Sequence, residues 1–394
     1  MSRPSRRLLV ASIAAVGVGN LGFWVLPLTI GILVDSQGYS QLEAGYLTSV
    51  EVGAIAFGSF AIVPFTSGSL LRKLAMLFAV VVMGANVLST FALSFEALAV
   101  CRFICGFGGG VILASGYAAI GRTQDPDRLY ALVFVLVGIA ASILLAVLPQ
   151  IVKIFGGASY FLTLACMTSM LIPAYLWNEL PEADKESIKT AEVKAMPRQD
   201  LFKVSLLLTA IFLVAFLETC VWTYVERRGL HLGINEIFMG YMLGICTVAG
   251  VSGGVLASVI GSKYGRAIPI AFALLLQGFC AAIMYMLPHQ NLFFIGLALW
   301  SFCLFLVYPY LLGAAASFPN PARWTVIGGA LMTVGSVFAP TVSGFVIGAA
   351  GYQSFAWMLI VLSALALLLA SISLRSNSLR HDGDGICSTT LNNA

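Results

Sequence analysis

Three charged side chains in this sequence stand where charge is costly: Glu51, Arg102 and Glu218 each fall inside a long apolar run, and the other 35 of the 38 Asp, Glu, Lys and Arg residues do not. On insertion scales each would cost about 2.5–3.5 kcal/mol at a helix centre in lipid, so a charge kept there points to function. Counting 1.5 Å per residue from the outer helix ends places Glu51 roughly 11 Å deep, Arg102 roughly 8 Å and Glu218 roughly 11 Å. At that shared level one arginine could pair with either glutamate. A carboxylate that loses its cation in apolar surroundings tends to take up a proton, so such alternation is a physical route to proton coupling. The plainer reading is a static Glu51–Arg102 ion pair and a structural hydrogen bond at Glu218.

Further polar handles accompany the three charges. With a small shift in register, Asn20-Leu-Gly-Phe-Trp24 matches Glu218-Thr-Cys-Val-Trp222. An amide, a carboxylate and two indoles could grip a small amphipathic or aromatic solute; the tryptophans could equally be packing or interfacial residues. Tyr117 and Tyr308-Pro309-Tyr310 offer hydroxyls to a cavity, or pack and kink their helices. Arg227 and Arg228 could attract an anion or snorkel to headgroups. No catalytic set emerges. The only histidines, His231, His289 and His381, are isolated, the eight cysteines show no metal or redox spacing, and no phosphate-binding G-x-x-x-x-G-K-[ST] loop occurs. We therefore expect no enzyme, no cofactor and no metal.

The elements that must hold these residues follow from composition. Sixty per cent of the 394 residues are hydrophobic and 10% charged, with a mean hydropathy of +0.97, against about 25% charged in soluble domains. This excludes a soluble globule. Apolar runs able to cross a bilayer lie at 8–33, 44–65, 74–94, 97–121, 129–151 and 157–178, then at 204–225, 237–261, 267–288, 291–317, 324–349 and 353–374. They are apolar all round, which fits helices and not the alternating strands of a barrel. The expected organisation is a six-helix half over 1–178, a cytoplasmic linker over 179–203, a second half over 204–374 and a disordered cytoplasmic tail over 375–394. An inside N-terminus puts 17 of the 21 Lys and Arg residues in the cytoplasm, so both termini are expected there, in a cell membrane crossed many times. The net charge of +4 sits in membrane-flanking loops and not on one face, so nucleic acid is not an expected partner. The expected partners are lipid, protons and a small-molecule substrate, with the chain a monomer.

Residues 45–160 also align with 240–355 at one constant offset of 195. Gly45-Tyr46 meets Gly240-Tyr241, Gly58 meets Gly253, Pro126-x-Arg128 meets Pro321-x-Arg323, Gly156 meets Gly351, and Ser159-Tyr160 meets Ser354-Phe355. Parallel repeats of this kind build transporters whose site lies between two halves. The positions matching Glu51 and Arg102 hold Cys246 and Leu297, so the charges break a symmetry that the scaffold keeps.

The fourth run, Leu98-Ala-Val-Cys-Arg102-Phe-Ile-Cys-Gly106-Phe-Gly-Gly-Gly110, resembles the L-x-x-x-R-x-x-x-G-x-x-x-G signature of the major facilitator superfamily. Gly261-Ser-Lys263-Tyr-Gly265-Arg266 resembles that family's D-K-x-G-R-K gating loop, with Ser262 where an acid is usual, and its first-half partner keeps only Arg72-Lys73. Asp125-Pro-Asp-Arg128 is similar to the loop between spans four and five. The resemblance covers about 8–374 and implies an all-α membrane protein of twelve helices in two pseudo-symmetric bundles. It also implies a cavity lined by spans one, four, seven and ten, which would bring Asn20, Trp24, Glu218 and Trp222 onto its wall. The G-P-x-x-G-G antiporter signature is missing from span five. The resemblance thus implies proton-coupled uptake by alternating access, with proton-coupled efflux as the alternative.

Overall fold

The computed structural model describes residues 6–62, 68–92, 94–121, 126–176, 197–261, 265–318 and 321–387, and among these every regular element is a helix. In hydrocarbon a helix satisfies its own backbone, which is why the apolar runs take this form. The first run divides into α1 (Arg6–Gly19), α2 (Leu21–Trp24) and α3 (Leu26–Asp35). Pro27, at the start of α3, has no N–H with which to continue the ladder. α4 (Gln41–Ala61) opens on a capping box: Ser40 Oγ accepts from the Glu43 N–H, and Glu43 Oε2 accepts from the Ser40 N–H. These bonds hold the exposed Glu43 carboxyl below the usual carboxylate range.

α5 (Gly68–Ser89), α6 (Phe95–Gly121) and α7 (Pro126–Phe155) follow, and the sixth run divides into α8 (Ala158–Ser169) and α9 (Leu171–Leu176). After the linker come α10 (Arg198–His231), α11 (Glu236–Ile260), α12 (Ala267–Tyr285), α13 (Gln290–Ala315) and α14 (Pro321–Cys387). α14 bends at Gly351. Eight helical stretches among the described residues are long and apolar enough to cross a bilayer, one of them the 48-residue Ile327–Leu374. The difference from twelve expected runs reflects in part the divided first and sixth runs and the sharing of α14 by the last two. Helical backbone continues past Leu374 to Cys387. Residues 177–196, which include most of the linker, Lys263 and residues 388–394 lie outside the described residues.

The chain forms two compact units that do not follow its halves. The first comprises Met1–Thr190, Thr219–Val248 and Ser336–Gly351; the second comprises Ala191–Glu218, Ala249–Gly335 and Tyr352–Ala394. In the first unit α6 packs against α1, α4 and α5 through small residues, among them Ala11, Ala15, Ala75, Ala79 and Cys105. The same unit gathers one end of α10, one end of α11 and an interior segment of α14 onto first-half helices. Trp222 Nε1 donates to the Phe23 carbonyl (3.0 Å), Tyr224 Oη to the Gln41 carbonyl (2.6 Å), and Thr341 and Ser49 share a hydroxyl bond of 2.8 Å. The second unit is built on α12 packed against α13, with a core that includes Leu207, Ile211, Leu274, Leu306 and Leu311.

The repeat has a backbone counterpart. Gly156 and Gly351 both take positive φ (82° and 76°), as do Gly38 and Gly233 (75° and 79°), again 195 residues apart. Side chains other than glycine rarely adopt that region. A Cβ on Gly58 would lie 2.1 Å from the Phe107 carbonyl oxygen, and one on Gly253 would lie 2.1 Å from that of Phe302, the matching residue. Gly58→Ala and Gly253→Ala are each expected to lower stability by about 1–3 kcal/mol, because backbone must move to admit the methyl. Gly84→Ala and Gly138→Ala, where nothing lies within 4 Å, are the controls. Thermal unfolding in detergent that ranks all four alike would refute the close-approach role.

Candidate functional site

In the first unit, three glycines let α4 and α6 approach closely. Besides Gly58 on Phe107, a Cβ on Gly106 would lie 2.2 Å from the Glu51 carbonyl oxygen, and one on Gly110 would lie 2.1 Å from that of Ile55. The spacing that carries the signature motif therefore brings Glu51 to Arg102. Both are buried, at 4% and 1% exposure, with Arg102 Nη1 3.6 Å from Glu51 Oε1. Arg102 Nη2 also donates to Asn86 Oδ1 (2.9 Å) and Ser89 Oγ (2.6 Å) on α5. Its guanidinium lies 4.8 Å from the Phe161 ring centroid on α8, a cation–π geometry. Glu51, Asn86, Cys105 and Thr168 border a cavity of about 20 Å³, room for a single water. Removing one partner from such a pair strands the other charge, typically at a cost of about 3–5 kcal/mol.

The second unit treats its carboxylate differently. Glu218 on α10 is 5% exposed, and both its oxygens accept from neutral donors: Gln277 Nε2 on α12 bonds Oε1, and Trp300 Nε1 on α13 bonds Oε2 at 2.6 Å. Gln277 is fully buried, and its own Oε1 has no hydrogen-bond partner among the described residues. At the 195-residue offset Gln277 and Trp300 fall on Val82 and Cys105. Cys105 Sγ meets the Val82 carbonyl in the first unit. One scaffold contact thus carries a weak thiol bond in one repeat and the donors of a buried carboxylate in the other.

The remaining candidate residues divide between polar pairing and packing. Tyr117 bonds the Asn20 side chain. Trp24 packs against a cluster that includes Val16, Leu113 and Val137, and its indole nitrogen is buried without a partner among the described residues. Trp222 spends its N–H on the Phe23 carbonyl. Tyr310 packs in the apolar core of the second unit, its hydroxyl 3.4 Å from the Ala257 carbonyl, and Tyr308 lies half-buried against that core. Of the loop residues, Arg72 Nη2 bonds the Leu176 carbonyl at the end of α9 (3.2 Å), and Lys73 is exposed. Gly265 takes φ 68°, and Arg266 lies over Gly313 of α13.

Sequence reasoning missed four residues. Asn86, Gln277 and Trp300 are uncharged; a lone amide within an apolar run was the only available signal. Glu226 was excluded because hydropathy ends the seventh run at 225. α10 instead continues to His231, and the protein packs around Glu226 (4% exposed) and Arg228 (6%). Glu51, Arg102 and Glu218 are therefore not the only charges buried along these helices.

Comparison with known proteins agrees with this architecture. The chain is similar to the sialic acid transporter NanX of Escherichia coli (strain K12), with 24% identity across 94% of this chain and 95% of that protein. Among solved structures it is similar to a mutant of the nucleoside transporter NupG (TM-score 0.73, 12% identity, 93% of this chain and 98% of that one). It is also similar to a POT family transporter in complex with a thioalcohol-conjugated peptide (TM-score 0.70, 13% identity, 93% and 95%). These likenesses identify an all-helical fold that the chain shares with those transporters. The Arg102-x-x-x-Gly106-x-x-x-Gly110 spacing that joins α4 to α6 lies within residues 12–329, which match the family model for the Major Facilitator Superfamily, and the chain belongs to that superfamily.

Proposed function

We propose that this protein is a secondary active carrier of a small organic solute, working by alternating access and coupled to protons as a symporter. Its twelve crossings form two six-helix bundles with both termini in the cytoplasm. The observation that carries the coupling assignment is the contrast between the two buried carboxylates. Glu51 has a guanidinium beside it, and among the described residues Glu218 has only neutral donors. When ionised, Glu218 accepts from both Gln277 and Trp300. When protonated, it donates to Gln277 Oε1 once the amide has turned over, and still accepts from Trp300. Neither state leaves a carboxylate oxygen unsatisfied, which a group that gains and loses a proton in a dry interior requires. In this reading the Glu51–Arg102 pair stays a fixed ion pair within the first unit.

Asn20 with Tyr117, and Trp24, Trp222, Tyr308 and Tyr310, are the substrate-side candidates. Lys263, Gly265 and Arg266, with Arg72 and Lys73, are the candidates for the cytoplasmic gate. Full-length similarity to a sialic acid transporter makes that acid the first solute to test, beside a nucleoside and a short peptide. Arg102 is occupied by Glu51, Asn86 and Ser89, so an anionic solute would draw on other donors. The test is flux in proteoliposomes under an imposed pH gradient. Solute accumulating along the proton flow supports symport, exchange against it would replace symport by efflux, and no flux of any of the three would overturn the solute class.

A further inference from the structure

The first unit holds a cavity of about 80 Å³ bordered by α3, α7, α8, α10 and α11. Glu226 reaches into it from α10 and is 4% exposed. A Cβ on Gly31 would lie 3.0 Å from both Glu226 carboxylate oxygens, so the glycine leaves the space they occupy. Glu226 Oε2 has no hydrogen-bond partner among the described residues. Asp35 and Glu236 add two carboxylates at the exposed rim. Of the neighbouring cations, Arg227 Nη1 is engaged with Asp35, Arg228 has contacts of its own, and Lys153 on α7 is exposed.

An ionised carboxylate buried with an unmet oxygen is costly, and either a proton or a positively charged guest relieves it. The walls say which kind of guest. Ile32, Leu148 and Val152 give the cavity an apolar lining, whereas a bare metal ion needs about six oxygen ligands. Among the described residues no three His, Cys, Asp or Glu side chains converge closely enough to hold a metal. A carboxylate at the base of an apolar slot suits an ammonium group with a short alkyl stem. We propose that this cavity is a binding site for a small organic ammonium ion, with Glu226 as its charge partner and Glu236 at the rim drawing the cation in.

The site is independent of the transport reading, and its test separates the two. The purified full-length protein is titrated with n-butylammonium chloride, with sodium chloride and n-butanol as controls, following heat of binding and thermal unfolding. Butylammonium is expected to bind and raise the unfolding temperature, and the controls to do neither. Glu226→Gln should weaken binding by about tenfold or more, whereas Glu218→Gln should leave it unchanged. Val152→Phe, which fills the slot without altering a charge, should also weaken it and keeps the test open if Glu226→Gln does not fold. Equal stabilisation by sodium, or undiminished binding in Glu226→Gln or Val152→Phe, would overturn the proposal.

Discussion

Glu218→Gln is expected to abolish the pH dependence of transport while leaving the protein folded. The amide is nearly isosteric with the carboxyl and can still accept from Trp300 Nε1, which now lies 2.6 Å from Glu218 Oε2. Its NH₂ can donate to Gln277 Oε1, which has no partner among the described residues, once that amide has turned over, since Gln277 now presents Nε2 to Glu218. Both polar atoms of the new amide are then paired, and what disappears is the proton that comes and goes. Coupling free energies between linked sites are about 1–3 kcal/mol, or about 5–150-fold, and proton-driven accumulation should fall by that order. Downhill exchange of solute should survive. The decisive measurement is uptake at several external pH values in proteoliposomes of wild type and variant. An unchanged pH profile in Glu218→Gln would remove Glu218 from the coupling role.

The second large effect is expected at Arg102. Arg102→Ala removes the guanidinium 3.6 Å from Glu51, strands that carboxylate in a site of 4% exposure, and leaves Asn86 and Ser89 without their donor. A loss of about 3–5 kcal/mol is the usual cost of breaking a buried pair from one side, and transport should fall with it. Arg227 also pairs with a carboxylate, Asp35, but that carboxylate is 46% exposed and solvent can take over its charge, so Arg227→Ala should cost far less. Combining Arg102→Leu with Glu51→Gln should recover part of the loss, since no unpaired charge then remains. Equal effects of Arg102→Ala and Arg227→Ala on thermal stability and uptake would show that burial of the pair is immaterial.

Much of this arrangement is legible along the chain because burial in lipid is a local demand. A charge inside an apolar run announces itself, and Glu51, Arg102 and Glu218 were found that way. The 195-residue repeat is equally readable, since a left-handed turn or a 2.1 Å approach admits little but glycine; Gly156 with Gly351 and Gly58 with Gly253 meet those demands in matching places. Gln277 and Trp300 were nearly invisible for the opposite reason. An amide and an indole are cheap to bury once paired, so a lone amide in an apolar run is the one faint mark of Gln277, and Trp300 has none. Glu226 was lost at a boundary. Hydropathy drops where charges begin, but a helix that the protein itself surrounds does not end there, and α10 runs on to His231.

Sequence alone determined that this chain lies in a membrane as helices, that it is built on a repeat, and that its intramembrane charges are few. Those properties follow from transfer free energies and backbone sterics, which each segment obeys by itself. Only the tertiary structure decided which carboxylate received the guanidinium, which received neutral donors, and which was left with an unmet oxygen beside a cavity. Equal depth allowed Arg102 to pair with either glutamate. The choice rests on separations of a few ångströms between helices distant in sequence, set by where glycine lets α4 meet α6 and by which side chains α12 and α13 turn toward Glu218.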